Sequence, residues 1–206
     1  NVPVEKEPSR LYRCPPPYDE LFPPGANELL ADTNSFDQWY MGHHGLTPAQ
    51  HEAVVAQYDG GIRQVDDELR SWAEEWTQTA NFPDTLLIIT SDHGEEFQEH
   101  GGWWHGTTPY DEQIHVPLII KRPAGQPSGF SRDDLAQSID VPPTLLGIAG
   151  IKAPENWHGH DLFGKSDPPD AVFAEEDQQG NVLRSRRGTH WKIIEANKGN
   201  PRGLAT

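Results

Sequence analysis

The chain has 206 residues, and its 32 acidic and 16 basic side chains give a formal net charge of −16 at pH 7. This length suffices for one domain or a large part of one. Because nucleic acids and anionic membrane surfaces would repel such a chain, the charge argues against both as partners.

Other counts bear on the environment of the protein. Abundant Asp and Glu with six Lys, ten Arg and one Met predict a halophilic source, since concentrated salt screens self-repulsion; ordinary acidity is the alternative. The single Cys14 cannot form an internal disulfide, so cysteine usage does not indicate a redox compartment. Residues 1–4 do not begin a signal peptide, and no run of about 18 apolar residues occurs. We therefore expect no membrane span and favour a cytoplasmic location, unless the N-terminus is truncated.

The first forty residues are dense in Pro and Gly, which indicates an ordered loop. A helix is predicted from about residue 48 to 76, because Thr47 can cap it, Pro48 suits its first position and Gln50 completes a capping box. Gly60-Gly61 in its middle predicts close packing or a break. Apolar residues at spacings of three and four form a stripe that we expect to be core: Val55, Tyr58, Ile62, Val65, Leu69, Trp72 and Trp76.

The rest of the chain alternates strands and helices. Two short apolar runs without alternation, 86–89 and 116–120, predict strands of one sheet buried on both faces. Residues 140–150 predict a short helix with Asp140 as its cap, and 171–174 with 191–194 predict a small sheet. The pattern indicates an α/β fold, a layered sheet with helices on both faces, followed by a small C-terminal antiparallel sheet.

The segment 85–106, TLLIITSDHGEEFQEHGGWWHG, carries the strongest chemical signal. Asp92 and His93 follow the first predicted strand, where ligands of open α/β sheets collect. A carboxylate and a neutral imidazole are good donors to a divalent cation, and His100 and His105 lie in a Gly-rich loop that can fold back over the same place. A metal or hydrolytic site is the favoured interpretation. The alternative is a solvated acidic loop, in which Glu95, Glu96 and Glu99 are surface charge.

These residues also carry a family resemblance. The stretch DTLLIITSDHGEEFQEHGGWWHGTTPYDEQIHVPLII resembles the strand, metal loop and following strand of the sulfatase family, within the alkaline-phosphatase superfamily. The resemblance continues through SIDVPPTLLGIAGI and DLFG, more weakly through VFAEE and RGTHWKIIE, and upstream through YDGGIRQVDDEL. It implies an alkaline-phosphatase-like fold, with 1–165 as the C-terminal part of the α/β domain and 166–206 as the start of a small β subdomain.

The resemblance implies roles for four residues of the loop. Asp92 and His93 would be ligands of a divalent cation, usually Ca²⁺ in sulfatases. His105 falls where the family places a Lys or His that contacts a sulfate oxygen, and a donor there would neutralise charge as the S–O bond breaks. His100 is a further candidate for substrate binding or support. Residues 110–112 resemble family scaffold without a catalytic role.

The chain also departs from the family pattern. The family nucleophile is a Cys or Ser in a C/S-x-P-x-R motif that is converted to formylglycine, and these 206 residues do not contain the motif. Cys14, in CPPPY, lacks the Arg and is interpreted as an ordinary loop residue. Ser9 stands where the family has a substrate-contacting His, and the paired Asp ligands that open a sulfatase chain are absent. The chain therefore resembles the C-terminal part of a sulfatase.

Three functions follow from these observations. The leading hypothesis is a metal-dependent hydrolase of sulfate monoesters, present as a fragment, whose substrate is a small-molecule or glycan sulfate ester. A phosphonate or phosphate ester hydrolase of the same superfamily is the second, because both groups are tetrahedral oxyanions. A non-catalytic scaffold or pseudoenzyme domain is the third. We expect the isolated chain to bind a divalent ion weakly and to turn over no sulfate ester; the sequence leaves its oligomeric state open.

Overall fold

The computed structural model describes residues 14–21, 46–127, 129–178 and 181–197. They divide into two compact units, one of residues 1–87 and 121–126 and the other of residues 88–120 and 127–206. The division predicted from the sequence, 1–165 and 166–206, stays a prediction. The helices are α1 (Pro48–Trp76), α2 (Asp111–Ile114) and α3 (Val141–Ile148), and the strands are β1 (Leu87–Thr90), β2 (Glu96–Phe97), β3 (Trp103–Trp104), β4 (Leu118–Lys121), β5 (Val172–Gln178), β6 (Asn181–Arg187) and β7 (Lys192–Ala196).

Helix α1 begins where the sequence predicts. The Gln50 backbone N–H donates to Thr47 Oγ1 at 3.3 Å, and the Thr47 N–H donates to Gln50 Oε1 at 3.1 Å. This capping box satisfies backbone donors that the first turn cannot satisfy within the helix. The helix continues through Gly60 and Gly61 without a break.

Gly60 marks a close contact rather than a break. A Cβ at this position would lie 2.5 Å from both Cys14 Sγ and the Tyr18 carbonyl oxygen, so the segment 14–21 approaches the helix backbone directly. The Gln57 amide anchors the same segment, accepting from the Cys14 N–H at 3.3 Å and donating to the Asp19 carbonyl at 3.0 Å. Small and polar residues therefore form this contact.

The apolar stripe of α1 is not the buried face, and our prediction that it is core was wrong for much of its length. Ile62, Val65 and Trp72 are exposed. The face that packs on residues 14–21 has the same helical spacing but lies on another side of the helix and carries smaller side chains, so the large apolar residues did not indicate it. The buried residues of the helix are Ala53, Val54, Ala56, Gln57 and Gly60.

Strands β1 and β4 form one two-stranded sheet, as predicted. Their burial differs from the prediction, because no residue of either strand is fully buried and Ile119 is 60% exposed. An apolar run without alternation predicts cover on both faces of a sheet. The described residues do not supply that cover at Ile119.

Helix α3 is confirmed, and Gly150 just beyond it has a φ of +71°, the conformation that favours glycine after a helix. Asp140 stands at its N-cap position as predicted, but its side chain makes no capping hydrogen bond to the helix. Its fully buried carboxylate instead accepts from the Gln137 N–H at 2.8 Å and the His160 N–H at 3.0 Å, and lies 2.9 Å from His160 Nδ1. Asp140 therefore joins the residues that precede α3 to the segment that follows it.

The C-terminal sheet is antiparallel in the order β5-β6-β7, which confirms the predicted small sheet and adds a central strand. Asp111 of α2 contacts this sheet, because its carboxylate pairs with Arg187 of β6 and accepts from Lys192 Nζ of β7 at 2.7 Å. Burial alone would raise the pKa of Asp111, but the two cationic donors lower it below its ordinary value. This ion pair joins the sheet to the segment that precedes β4.

Among the described residues, we found no helix with the length and apolarity that crossing a membrane requires.

Candidate active site

The predicted site lies on a short hairpin between β1 and α2. Strands β2 and β3 pair antiparallel, with Glu96 opposite Trp104. Gln98 and Trp104 have φ values of +72° and +77°, a region that side chains other than Gly rarely adopt. The hairpin thus returns the chain toward Asp92 and His93 through a costly backbone geometry, and His105 follows directly.

Two buried polar residues hold the hairpin on α2. Glu96 Oε1 accepts from the Gly102 N–H at 2.8 Å and the His100 N–H at 3.3 Å, and Glu96 Oε2 accepts from Gln113 Nε2 at 2.7 Å. Gln113 Oε1 accepts from the N–H groups of Thr107 and Thr108, both at 3.2 Å. Because Glu96 and Gln113 are almost fully buried, these bonds replace the water that their polar atoms have lost.

Asp92 and His93 form a pair at the end of β1. His93 Nδ1 lies 2.8 Å from the Gly94 carbonyl oxygen, so this nitrogen carries the donated proton and Nε2 carries the free lone pair of the neutral ring. Asp92 Oδ2 lies 3.6 Å from His93 Nε2. A hydrogen bond from the backbone N–H of Asp92, and then the positive charge of His93 when its ring is protonated, lower the pKa of Asp92 below its ordinary value. The pair presents a carboxylate and an imidazole lone pair side by side.

His105 returns to the same place. Its ring stacks on that of His93, with 3.6 Å between centroids and 16° between planes. Its Nδ1 donates to Glu95 Oε2 at 3.1 Å. The Glu95 side chain is only 5% exposed, whereas that of His105 is 43% exposed. An exposed imidazole is thus held by a buried carboxylate on one edge and a second imidazole on one face.

His100 has other partners. Its Nδ1 contacts Glu112, and its ring stacks on Tyr110 with centroids 3.6 Å apart and planes 2° from parallel. Glu96, His100 and Glu112 bring ligand atoms within 4.8 Å of one another, a geometry that could hold a metal ion. Both oxygens of Glu96 already accept protein N–H groups, so we interpret this cluster as a hydrogen-bonded support of the hairpin.

The structure therefore brings together Asp92, His93 and His105, and places His100 with α2. Sequence reasoning did not predict the burial of two glutamates of the loop. It left open that Glu95 and Glu96 are surface charge, but both are buried and only Glu99 is exposed. No local signal distinguishes these three glutamates, because burial of an acid depends on partners distant in sequence.

Two residues bear on the missing nucleophile. Cys14 is buried and lies 3.4 Å from Gln57 Oε1; burial and then the charge of Asp19 raise the pKa of its thiol above the ordinary value. A protonated buried thiol is a poor nucleophile, which agrees with its interpretation as a structural residue. Ser9 lies outside the described residues.

An α/β fold whose strand end leads into an acid–histidine loop places these side chains where open α/β sheets bind ligands. The sulfatase family matches residues 11–151, more than half of the chain, and the chain belongs to this family.

Individual comparisons agree with the assignment. The chain is 38% identical to arylsulfatase K of Bos taurus over 118 residues, which cover 57% of this chain and 20% of the relative. It superposes on a phosphonate monoester hydrolase of Silicibacter pomeroyi with a TM-score of 0.67 and 26% identity, covering 89% of this chain and 41% of that one. A protein solved with its substrate D-glucosamine-2-N,6-O-disulfate has a TM-score of 0.60 and 19% identity, with 78% and 36% covered.

These neighbours confirm the predicted α/β, alkaline-phosphatase-like fold. The chain spans about a fifth of the length of the curated relatives that it matches.

Proposed function

We propose that the chain forms part of a metal-dependent hydrolase of sulfate monoesters. Asp92 and His93 contribute two ligands to a divalent cation, Ca²⁺ in this proposal, and His105 contacts the ester. The observation that carries the proposal is the convergence of these three residues, with Asp92 Oδ2 3.6 Å from His93 Nε2 and the His105 ring stacked on that of His93. Membership of the sulfatase family supports it.

The donor set fits a divalent cation. Two ligand atoms at right angles around Ca²⁺, each about 2.4 Å from the ion, lie roughly 3.4 Å apart, which is close to the separation of Asp92 Oδ2 and His93 Nε2. The proton on His93 Nδ1, held by the Gly94 carbonyl, leaves Nε2 free to donate its lone pair. Among the described residues, no third acidic, His or Cys side chain completes a cluster with this pair.

The described residues explain how an ester would be oriented and how its negative charge would be stabilised. A bound cation supplies charge that stabilises an anionic ester and its leaving oxygen. Asp92 and His93, at the end of β1, set where an ester can lie, and His105, with its ring protonated, donates from Nε2–H to an oxygen of that ester. Formylglycine, the nucleophile of the family, is not encoded in these residues.

A phosphonate or phosphate ester is the second candidate substrate. The likeness to a phosphonate monoester hydrolase covers 89% of the chain at 26% identity. Sulfate and phosphate esters present similar oxygens to a histidine and a cation, so binding measurements must separate them. The resemblance of the loop to sulfatases and the relation to arylsulfatase K favour sulfate.

Calorimetry with Ca²⁺ and NMR with 4-nitrophenyl sulfate test the proposal on the 206-residue chain. We expect Ca²⁺ to bind with a dissociation constant of about 1 mM, because two protein ligands leave most of the coordination sphere to water. Asp92→Ala should abolish this binding, and Asp133→Ala, a change at another exposed aspartate, should not. The ester should shift the His105 ring resonances more than phenyl phosphonate does.

Each result has a distinct meaning. Ca²⁺ binding that survives Asp92→Ala contradicts the proposed ligand pair. A larger response to phenyl phosphonate favours the second substrate class, and no response of His105 to either ester favours a non-catalytic domain. Metal-dependent turnover of the sulfate ester that Asp92→Ala abolishes would mean that the nucleophile lies within these residues.

A further inference from the structure

We propose that Glu95 is a positioning residue, which fixes the His105 ring in the orientation that contacts the ester. The inference rests on the proposed function, because it gives Glu95 a role only through His105. Neither the family resemblance nor the sequence pattern assigned Glu95 a role.

Two contacts at right angles determine the position of the His105 ring. Glu95 Oε2 accepts from Nδ1 in the plane of the ring, at 3.1 Å, and His93 covers one face, with centroids 3.6 Å apart. Stacking alone lets a ring turn within its plane, whereas an in-plane hydrogen bond stops that rotation. Because Nδ1 is directed at Glu95, Nε2 is the nitrogen left for a ligand.

The burial of Glu95 supports a role beyond packing. Its Oε1 is buried and has no hydrogen-bond partner among the described residues, although a buried carboxylate normally requires several. The neighbouring Glu96 differs, since both of its oxygens accept from N–H groups that hold the hairpin. The hydrogen bonds of Glu96 hold the loop together, whereas the Glu95 carboxylate accepts from His105.

Sulfate binding to single and double variants of the chain tests the inference. Glu95→Leu keeps the bulk of the buried side chain and removes the acceptor. We expect it to weaken binding of inorganic sulfate about tenfold, as His105→Ala should, because the oriented contact is lost. The double variant should bind no more weakly than His105→Ala alone, because Glu95 acts through His105. Ca²⁺ binding, which depends on Asp92 and His93, should change less than threefold in Glu95→Leu.

Two further variants control for folding and for charge. Glu95→Gln keeps an acceptor oxygen and should retain affinity within about threefold of wild type. Glu99→Gln removes the charge of an exposed glutamate in the same loop and should have no effect. Circular dichroism confirms that each variant is folded; if Glu95→Leu unfolds, Glu95→Ala, which also removes the acceptor, takes its place in the test.

The outcomes separate this inference from the proposed function. Sulfate affinity that depends on His105 but not on Glu95, or losses that add in the double variant, overturn the positioning role alone. A wild-type chain whose sulfate binding does not depend on His105 overturns the proposed contact of His105, and the role of Glu95 with it. The positioning role is supported if Glu95→Leu lowers sulfate affinity, Glu95→Gln retains it, and the double variant binds no more weakly than His105→Ala.

Discussion

The imidazole of His105 lies against that of His93, with ring centroids 3.6 Å apart and planes 16° from parallel. His105 lies twelve positions after His93 in the sequence, and the hairpin of β2 and β3 brings the two together. The two rings have different hydrogen-bond partners, since His93 Nδ1 faces the Gly94 carbonyl and His105 Nδ1 faces Glu95. Stacked histidines with separate partners can have separate functions, one toward a metal and one toward a substrate.

The first prediction separates these functions by ligand. His93→Ala removes one of the two proposed metal ligands and should weaken Ca²⁺ binding at least about tenfold. His105→Ala should leave Ca²⁺ affinity within about twofold, because His105 contributes no ligand in this proposal. Isothermal calorimetry on both variants measures the difference. Equal losses in the two variants would mean that the stack binds metal as a unit, contrary to the assignment.

The second prediction concerns the adjacent glycines of α1. Gly61→Ala should stabilise the chain by about 1 kcal/mol, because a Cβ there meets no atom within 4 Å and Ala is the better helix former. Gly60→Ala should destabilise it by about 1–3 kcal/mol, because its Cβ would lie 2.5 Å from Cys14 Sγ and the Tyr18 carbonyl. Chemical denaturation measures both. Stabilisation by both substitutions would mean that residues 14–21 do not pack at Gly60.

Patterns within a few neighbouring residues correctly predicted the helices α1 and α3 and the strands β1 and β4. The Thr47–Gln50 capping box places the start of α1 because both partners lie within one turn. The helix α3 and the apolar runs at β1 and β4 are also local patterns. What these patterns did not supply is burial, since Ile62 and Ile119 are apolar but exposed. Burial depends on what another segment places against a face, and the residues of that face do not specify it.

The other differences between the predicted and the observed structure concern polar residues. Strand β6 was not predicted, because its polar and basic residues 184–187 do not resemble a strand. In the structure Leu183 and Ser185 alternate on its buried face, and both neighbouring strands pair with it. The burial of Glu95 was not predicted for a related reason: its partner His105 is ten residues away and contacts it only when the hairpin has formed. In both cases, pairing distant in sequence overrides composition.

A third prediction tests the anchoring of the hairpin. Glu96→Ala removes an acceptor that serves the N–H groups of His100 and Gly102 and the amide of Gln113. Leaving these donors unsatisfied in a buried place should destabilise the chain by about 3 kcal/mol. Hydrogen exchange should also show faster exchange of the Gly102 amide. Glu99→Gln is the control, because this exposed side chain accepts from the Phe97 N–H and the amide keeps an acceptor there; similar effects of the two substitutions would contradict a special role of Glu96.

A fourth prediction concerns pH. Because the pKa of Asp111 is lowered in the folded chain, its ionised form stabilises the fold above the unfolded pKa of about 3.9, and this contribution is lost as the pH falls through the lower folded pKa. Asp111→Asn should therefore reduce the free energy of unfolding by about 1 kcal/mol at pH 7. The difference from wild type should shrink below about pH 4. Urea denaturation across this range measures it, with Asp133→Asn as control, and a difference that stays constant down to pH 2 would exclude the ion pair as its cause.

The fifth prediction follows from the charge of −16. Repulsion between like charges opposes the compact state, and the screening length falls from about 10 Å at 0.1 M salt to about 3 Å at 1 M. The midpoint of thermal unfolding should therefore rise by several degrees between 0.1 and 1 M KCl, and most of the rise should come at the lower concentrations, where screening changes fastest. Sucrose separates screening from general exclusion of cosolvents, because it carries no charge and stabilises compact states by exclusion. A midpoint that does not move with KCl, or that moves no more than in sucrose of equal osmolality, would show that charge repulsion is not limiting and would remove the physical reason for a halophilic source.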